Sequence, residues 1–152
     1  MLLRRRRKGQ AIVEMAFLFP FFLLIIAGGI VDFGFAFYNF IRLQQIANDA
    51  AQYAVEGYYQ THDKDAPIPG TSVIGSYVLT KKPRWWVGNL TVEKVDVVNS
   101  SDGQAKIAKV FVRYDSQVYT PFYQTLMGQV TGHKNIPLRV LSAYQRPVNV
   151  GG

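Results

Sequence analysis

Glu14 is the first residue in this chain whose chemistry asks for an explanation. It lies within Ala11–Val31, twenty-one residues with no other charge. A carboxylate among apolar side chains is tolerated when a cation or several donors neutralise it. Near one end of such a run it either reaches polar headgroups or meets a positive partner inside the membrane. The other candidates for chemistry are scattered. His62 and His133 are the only histidines, and neither has a second ligand at metal spacing. Asp63 with Asp65, and Asp96 with Asp102, read as loop or strand-end acids rather than catalytic pairs. Ser100-Ser101 has no nearby histidine to act as its base. The glycines form no phosphate-binding loop after a strand. Cysteine is absent, which removes disulfides, thiol nucleophiles and thiolate metal sites. The sequence therefore predicts no catalytic residue, no metal and no cofactor, and a membrane-tethered enzyme is the weakest reading. Trp85-Trp86, preceded by Lys82 and Arg84, reads in two ways. It is either a patch for a surface, glycan or partner subunit, or a pair covering the edge of a small core.

The element that must carry Glu14 is a long helix. Met15–Val31 is seventeen residues without a charge, with Pro20 as its only helix breaker. A helix of ~20 residues crosses the ~30 Å hydrocarbon core. A secretory signal has a shorter apolar region and a small-x-small cleavage site. Here the run ends in Gly28-Gly29-Ile30-Val31-Asp32-Phe33, which offers no such site. Arg4, Arg5, Arg6, Arg7 and Lys8 precede it, so the positive-inside rule places the N-terminus in the cytoplasm and the C-terminal part outside. Those five residues also explain the net charge of +7. The other twelve basic residues face ten acidic ones, a surplus of two. A local cluster is not the distributed basic surface that phosphate neutralisation needs, so no nucleic-acid partner is expected.

Lys8-Gly9-Gln10-Ala11-Ile12-Val13-Glu14, followed by an apolar helix, resembles the cleavage site of type IV pilins and pseudopilins. The longer stretch GQAIVEMAFLFPFFLLIIAGGIVDFG resembles the start of the TadE-like family, minor pilins or pseudopilins of the tight-adherence (Tad) pilus system. Gly9, Gln10, Val13, Glu14, Pro20, Gly29, Asp32, Phe33 and Gly34 carry that resemblance; Met15 stands where an aromatic is expected. It implies a cut by a prepilin peptidase between Gly9 and Gln10, on the cytoplasmic side, with Glu14 fifth in the mature chain. It further implies N-methylation at Gln10, and pairing of Glu14 with a neighbouring subunit's N-terminal amine. The implied partners are the membrane, the prepilin peptidase, other pilins and pilus platform proteins. The implied role is structural, in pilus assembly or initiation and so in adhesion, at the bacterial inner membrane or in a surface pilus. The alternative is an uncleaved single-pass membrane protein whose outer domain binds a ligand or partner.

Beyond Asp32 the apolar residues Ala36, Phe40, Leu43, Ala47, Ala50 and Ala54 fall at steps of three and four, one stripe of an amphipathic helix. Phe33, Phe35, Phe37, Tyr38 and Phe40 form an aromatic collar suited to a membrane interface. Gly57 is a plausible stop, and Tyr58–Gly75 reads as a loop. Ser72–Thr80 reads as a short helix or strand, ended by Lys81-Lys82-Pro83-Arg84. Three strands are predicted, over Leu90–Val98 with a bulge near Lys94-Val95, Lys106–Tyr119 and Ile136–Arg146. Asn99–Gly103 reads as a turn, and Phe122–Met127 as at least one helical turn. In the third strand Ile136, Leu138, Val140, Ser142 and Tyr144 share a face. The predicted fold is α+β, a long N-terminal transmembrane and amphipathic helix packed on a small antiparallel sheet. The expected division is 1–9 leader, 10–32 transmembrane, 33–57 outer helix and 58–152 extracytoplasmic domain.

Overall fold

The computed structural model describes residues 3–57, 69–100 and 105–147. Helix α1 runs over Leu3–Gln52 and passes through Pro20, which removes one intrahelical donor. It continues as a π-helical turn over Tyr53–Gly57. Helix α2 is Thr71–Thr80, strand β1 Leu90–Asn99, β2 Ala105–Gln117, helix α3 Pro121–Thr131 and β3 Asn135–Pro147. The sheet is an antiparallel meander in the order β1-β2-β3. The fold is the α+β arrangement expected, a long apolar helix packed on a three-stranded antiparallel sheet.

The chain divides into two compact units. One comprises Met1–Phe35 with Val118–Lys134, and the other Ala36–Gln117 with Asn135–Gly152. Residues 118–134, assigned from the sequence to the outer domain, thus group with the first part of α1.

In the second unit, Leu43, Ile46, Ala47, Ala50, Ala51, Ala54 and Val55 of the helix lie against Ala108, Val110 and Val112 of β2, with Val140 of β3 and Ile74 and Val78 of α2. The small alanines let the helix approach the sheet closely. Alternation sets the sheet face, as the pleat requires. In β2 the buried positions from Ala108 onward are Ala108, Val110, Val112, Tyr114 and Ser116, and Ala105 at the start of the strand is buried as well. In β3 residues 136–146 alternate as read from the sequence, with Val140 and Ser142 buried and Leu141 exposed.

Four readings need correcting. The buried stripe of α1 passes through Asn39, and Phe40 is exposed. Both lie within one turn of Ala36, and the partners available to Asn39 decide between them. The bulge falls between Val92 and Lys94, one residue before the expected place, with Glu93 the extra residue. The chain is helical from Thr71, short of the loop end expected at Gly75, so Gly75 lies inside α2. Gly75 has no contact within reach of an added Cβ, so it is a tolerated helical glycine rather than a turn. The second strand ends at Gln117, and Val118 and Tyr119 lie beyond it. His62, Asp63, Asp65, Ser101 and Asp102 lie outside the described residues.

Candidate functional site: the apolar helix and its docked segment

Gly9, Gln10 and Glu14 all lie on α1 and are exposed. Gln10 and Glu14 share a face at i, i+4, and Gln10 Nε2 donates to Glu14 Oε1 at 3.2 Å. A Cβ built on Gly9 would meet nothing within 4 Å. No packing contact therefore calls for glycine there. The apolar run that follows is exposed throughout 11–24, with Phe17 73% exposed, and beyond that is covered in part, at Ile25, Gly28 and Gly29. Its length and composition are those of a membrane span, and they suggest membrane insertion.

The first unit contains a junction that the sequence does not advertise. Asp32 is 3% exposed. Its Oδ1 accepts the backbone N–H of Tyr119 at 2.8 Å, and its Oδ2 that of Thr120 at 3.1 Å. A carboxylate at this point also complements the positive end of α3, which begins with Pro121. Tyr123 Oη donates to the Ile25 carbonyl at 3.0 Å, and Thr120 Oγ1 to that of Gly28 at 3.5 Å. Gly28-Gly29 forms the seat. A Cβ on Gly28 would lie 2.9 Å from Thr120 Cγ2, and one on Gly29 2.6 Å from Tyr123 Oη. Two members of the aromatic collar close the junction, Phe33 edge-on to Tyr123 at 6.0 Å and Phe35 tilted against Tyr119 at 5.2 Å. Asp32 and Gly29 are among the residues that carry the family resemblance in the sequence; Gly28 is not. Their partners lie 87 and more residues away, so no local signal reveals the contact.

In the second unit the tryptophan pair splits. Trp86 is 3% exposed and stacks on Tyr114 with ring centroids 4.0 Å apart. Its Nε1 donates to Asn39 Oδ1 at 2.8 Å, and Asn39 Nδ2 donates to Ser116 Oγ at 3.0 Å. The buried amide thus has both its oxygen and its nitrogen engaged, as burial demands. Trp85, 55% exposed, alone of the pair presents its ring to the surroundings. Of the two sequence readings, core cover describes Trp86, and a surface patch remains open only for Trp85. Asp96 pairs with Lys94 at 2.6 Å on the exposed sheet.

At the far end of the helix, Glu56 accepts from Gln52 Nε2 at 3.0 Å and from Tyr144 Oη at 2.9 Å. The Gln52 bond, then the Tyr144 bond, hold the Glu56 carboxyl below its ordinary value of 4.5; burial opposes them less strongly, and Arg146 adds a still smaller attraction. The same bond to Glu56, and then burial, push the Tyr144 phenol above 10.0. The signs fix two pH windows. Stability from Glu56 is present above pH 4.5 and is lost as pH falls through the lower folded value. Stability from Tyr144 is present below pH 10.0 and is lost as pH rises through the higher folded value. Melting curves of the wild type and Glu56→Gln should therefore differ near neutral pH and converge on acidification below 4.5. A constant offset across that range would show that Glu56 contributes by shape alone.

Fold and site together define a class: a protein with one long helix, apolar and exposed over 11–24, that continues into a small α+β module, with no assembled catalytic group among the described residues. Residues 9–52 match the model of the TadE-like protein family. That match suggests a Tad-pilus-associated protein. It begins at Gly9, includes Glu14 and Asp32, and ends where the α-helix gives way to its π turn, so the sheet lies outside it. No curated protein and no solved structure matches the chain.

Proposed function

We propose that this chain is a minor pilin or pseudopilin of a Tad-type pilus, cut by a prepilin peptidase between Gly9 and Gln10. The observation that carries the reading is the family match starting at Gly9, with Glu14 near the start of a helix that is apolar and exposed over 11–24. Residues 1–9 are the leader, 10–32 the membrane part, 33–57 the outer helix, and 58–152 the part beyond the membrane. After processing, the basic cluster leaves with the leader. The apolar helix then serves first as an anchor in the inner membrane and afterwards as subunit contact in a filament. Trp85 is the exposed aromatic available to a partner, while Trp86 supports it from the core.

Glu14 gives the mechanism. In the free subunit its carboxylate is met by Gln10 of the same chain. In a filament the new amine at Gln10 of a neighbouring subunit supplies the opposite charge. A charge pair in an apolar setting stabilises only when both members are present, and removing one leaves the other uncompensated. Glu14→Val should therefore still be processed but should enter filaments poorly. Normal incorporation of Glu14→Val into sheared pili, measured by immunoblot, would sink that mechanism.

The test of the whole reading is intact mass spectrometry of the protein from cells with and without prepilin peptidase. Loss of Met1–Gly9 only when the peptidase is present is the expected result. A mature chain that still begins at Met1 would favour an uncleaved single-pass protein with a binding domain.

A further inference from the structure

Helix α3 carries an apolar surface that its own unit does not cover. From Ser116 to Gly132 the chain has seventeen residues without an Asp, Glu, Lys or Arg. Phe122, Leu126 and Val130 follow at steps of four and are 45%, 43% and 75% exposed. At 100° per residue they form one line along the helix. Thr125 and Gln129, also exposed, form a polar line beside it. Tyr123 flanks this line on the side opposite Thr125 and Gln129, and its hydroxyl reaches α1. An apolar line beside a polar one, with no element covering it among the described residues, is the amphipathic part of the pattern of helices that lie in a membrane interface, here without a basic face.

The docking of α3 fixes its depth. Its first residues are tied to the carbonyls of Ile25 and Gly28, within the outer third of Ala11–Val31. Ile25 is six residues from Val31, roughly 9 Å along a helix at 1.5 Å per residue. If that run spans the bilayer, α3 begins at the boundary between acyl chains and headgroups. The one charge at the junction, Asp32, is buried and met by two backbone donors, so it presents no bare carboxylate to lipid. Lys134, just past the end of α3, is exposed and of the right sign for lipid phosphates.

We infer that α3 is an interfacial helix, with its Phe122–Leu126–Val130 line seated in a phospholipid leaflet on the C-terminal side of the span. It holds the anchor helix at a set depth before assembly. The inference rests on the membrane-anchor reading of α1. It also places residues 116–132 at the membrane, although a purely outer domain was expected there.

The absence of native cysteine makes single labels unambiguous. The full chain, reconstituted in phosphatidylcholine–phosphatidylglycerol vesicles, is labelled with an environment-sensitive dye in separate L18C, T125C, L126C, Q129C and V130C variants. The L126C and V130C labels should be blue-shifted, quenched by brominated lipid, and several-fold less quenched by aqueous iodide than the T125C and Q129C labels. This should persist as protein is diluted into lipid. Water-exposed labels in L126C and V130C beside a shielded L18C label would overturn the inference and leave the anchor standing. A water-exposed L18C label would remove the anchor reading and the inference with it. Shielding in L126C and V130C that disappears on dilution would identify a second copy as the occupant, and would also overturn the inference.

Discussion

Gly9→Trp is expected to abolish leader removal, so that the protein recovered from peptidase-competent cells keeps residues 1–9 and does not enter pili. The reasoning separates processing from folding. An added Cβ at Gly9 has nothing within 4 Å to meet, and the residue lies on an exposed helical turn. Replacing a helical glycine usually gains stability, since glycine costs about 1 kcal/mol relative to alanine in a helix interior. Any defect at this position must therefore come from a partner that needs the missing side chain. A peptidase that closes on the backbone at the cut is such a partner. Gly34 is the matched control. It is also exposed on α1 with open space at its Cβ, so Gly34→Trp should be processed normally. Intact mass distinguishes the outcomes directly. Full processing of Gly9→Trp would mean that glycine at position 9 is not read by the enzyme.

Trp86→Ala should be the most destabilising single change in the second unit. The indole is buried, stacked on Tyr114, and is the donor to Asn39 Oδ1. Truncating a buried aromatic to alanine costs about 3–5 kcal/mol through lost transfer energy and the cavity left behind. It also leaves the Asn39 carbonyl oxygen without its donor in a buried site, where an unmet polar group costs about 1–3 kcal/mol. The two costs share one site and will not add fully. Against a total stability on the order of 5–15 kcal/mol, this is a large fraction. The melting temperature, followed by near-ultraviolet circular dichroism in detergent, should fall by more than about 10 °C. Trp86→Phe isolates the hydrogen bond, because it keeps a ring over Tyr114 and removes the donor. Its loss should be smaller and should shrink further when Asn39→Leu is added. A melting temperature for Trp86→Ala within a degree or two of wild type would contradict this placement of the indole. Because Trp85 is exposed, Trp85→Ala should leave the melt nearly unchanged, and the contrast between adjacent tryptophans is itself a check on the fold.

Much of this protein was legible locally. A twenty-one-residue run with one charge can hardly be anything but a helix, and the Gly9–Glu14 spacing needs no tertiary information. Strand alternation put Val140 and Leu141 on opposite faces, because successive side chains on a strand point to opposite sides, and the structure buries the Val140 face. The helical stripe was legible except at Asn39 and Phe40. Periodicity weighs apolar residues, so it favoured Phe40. Asn39 is buried because Trp86 and Ser116 supply its donor and acceptor from 47 and 77 residues away. The bounds of α2 were legible to within one residue, but helix and strand stayed open there because Gly70 and Gly75 look like loop signals and the helix carries no capping side chain.

By itself the sequence determined an anchor-like helix, the basic flank, the residues of the Gly9–Glu14 motif and an antiparallel sheet. Each depends on neighbours a few residues apart, where helical and strand periods operate. Only the tertiary structure decided that Asp32 receives the backbone of residues 119–120, that Gly28-Gly29 seats Tyr123, and that Trp86 is core while Trp85 is surface. The reason is physical. A buried polar group must find its hydrogen-bond partner wherever the fold brings one, and here those partners lie most of a chain length away.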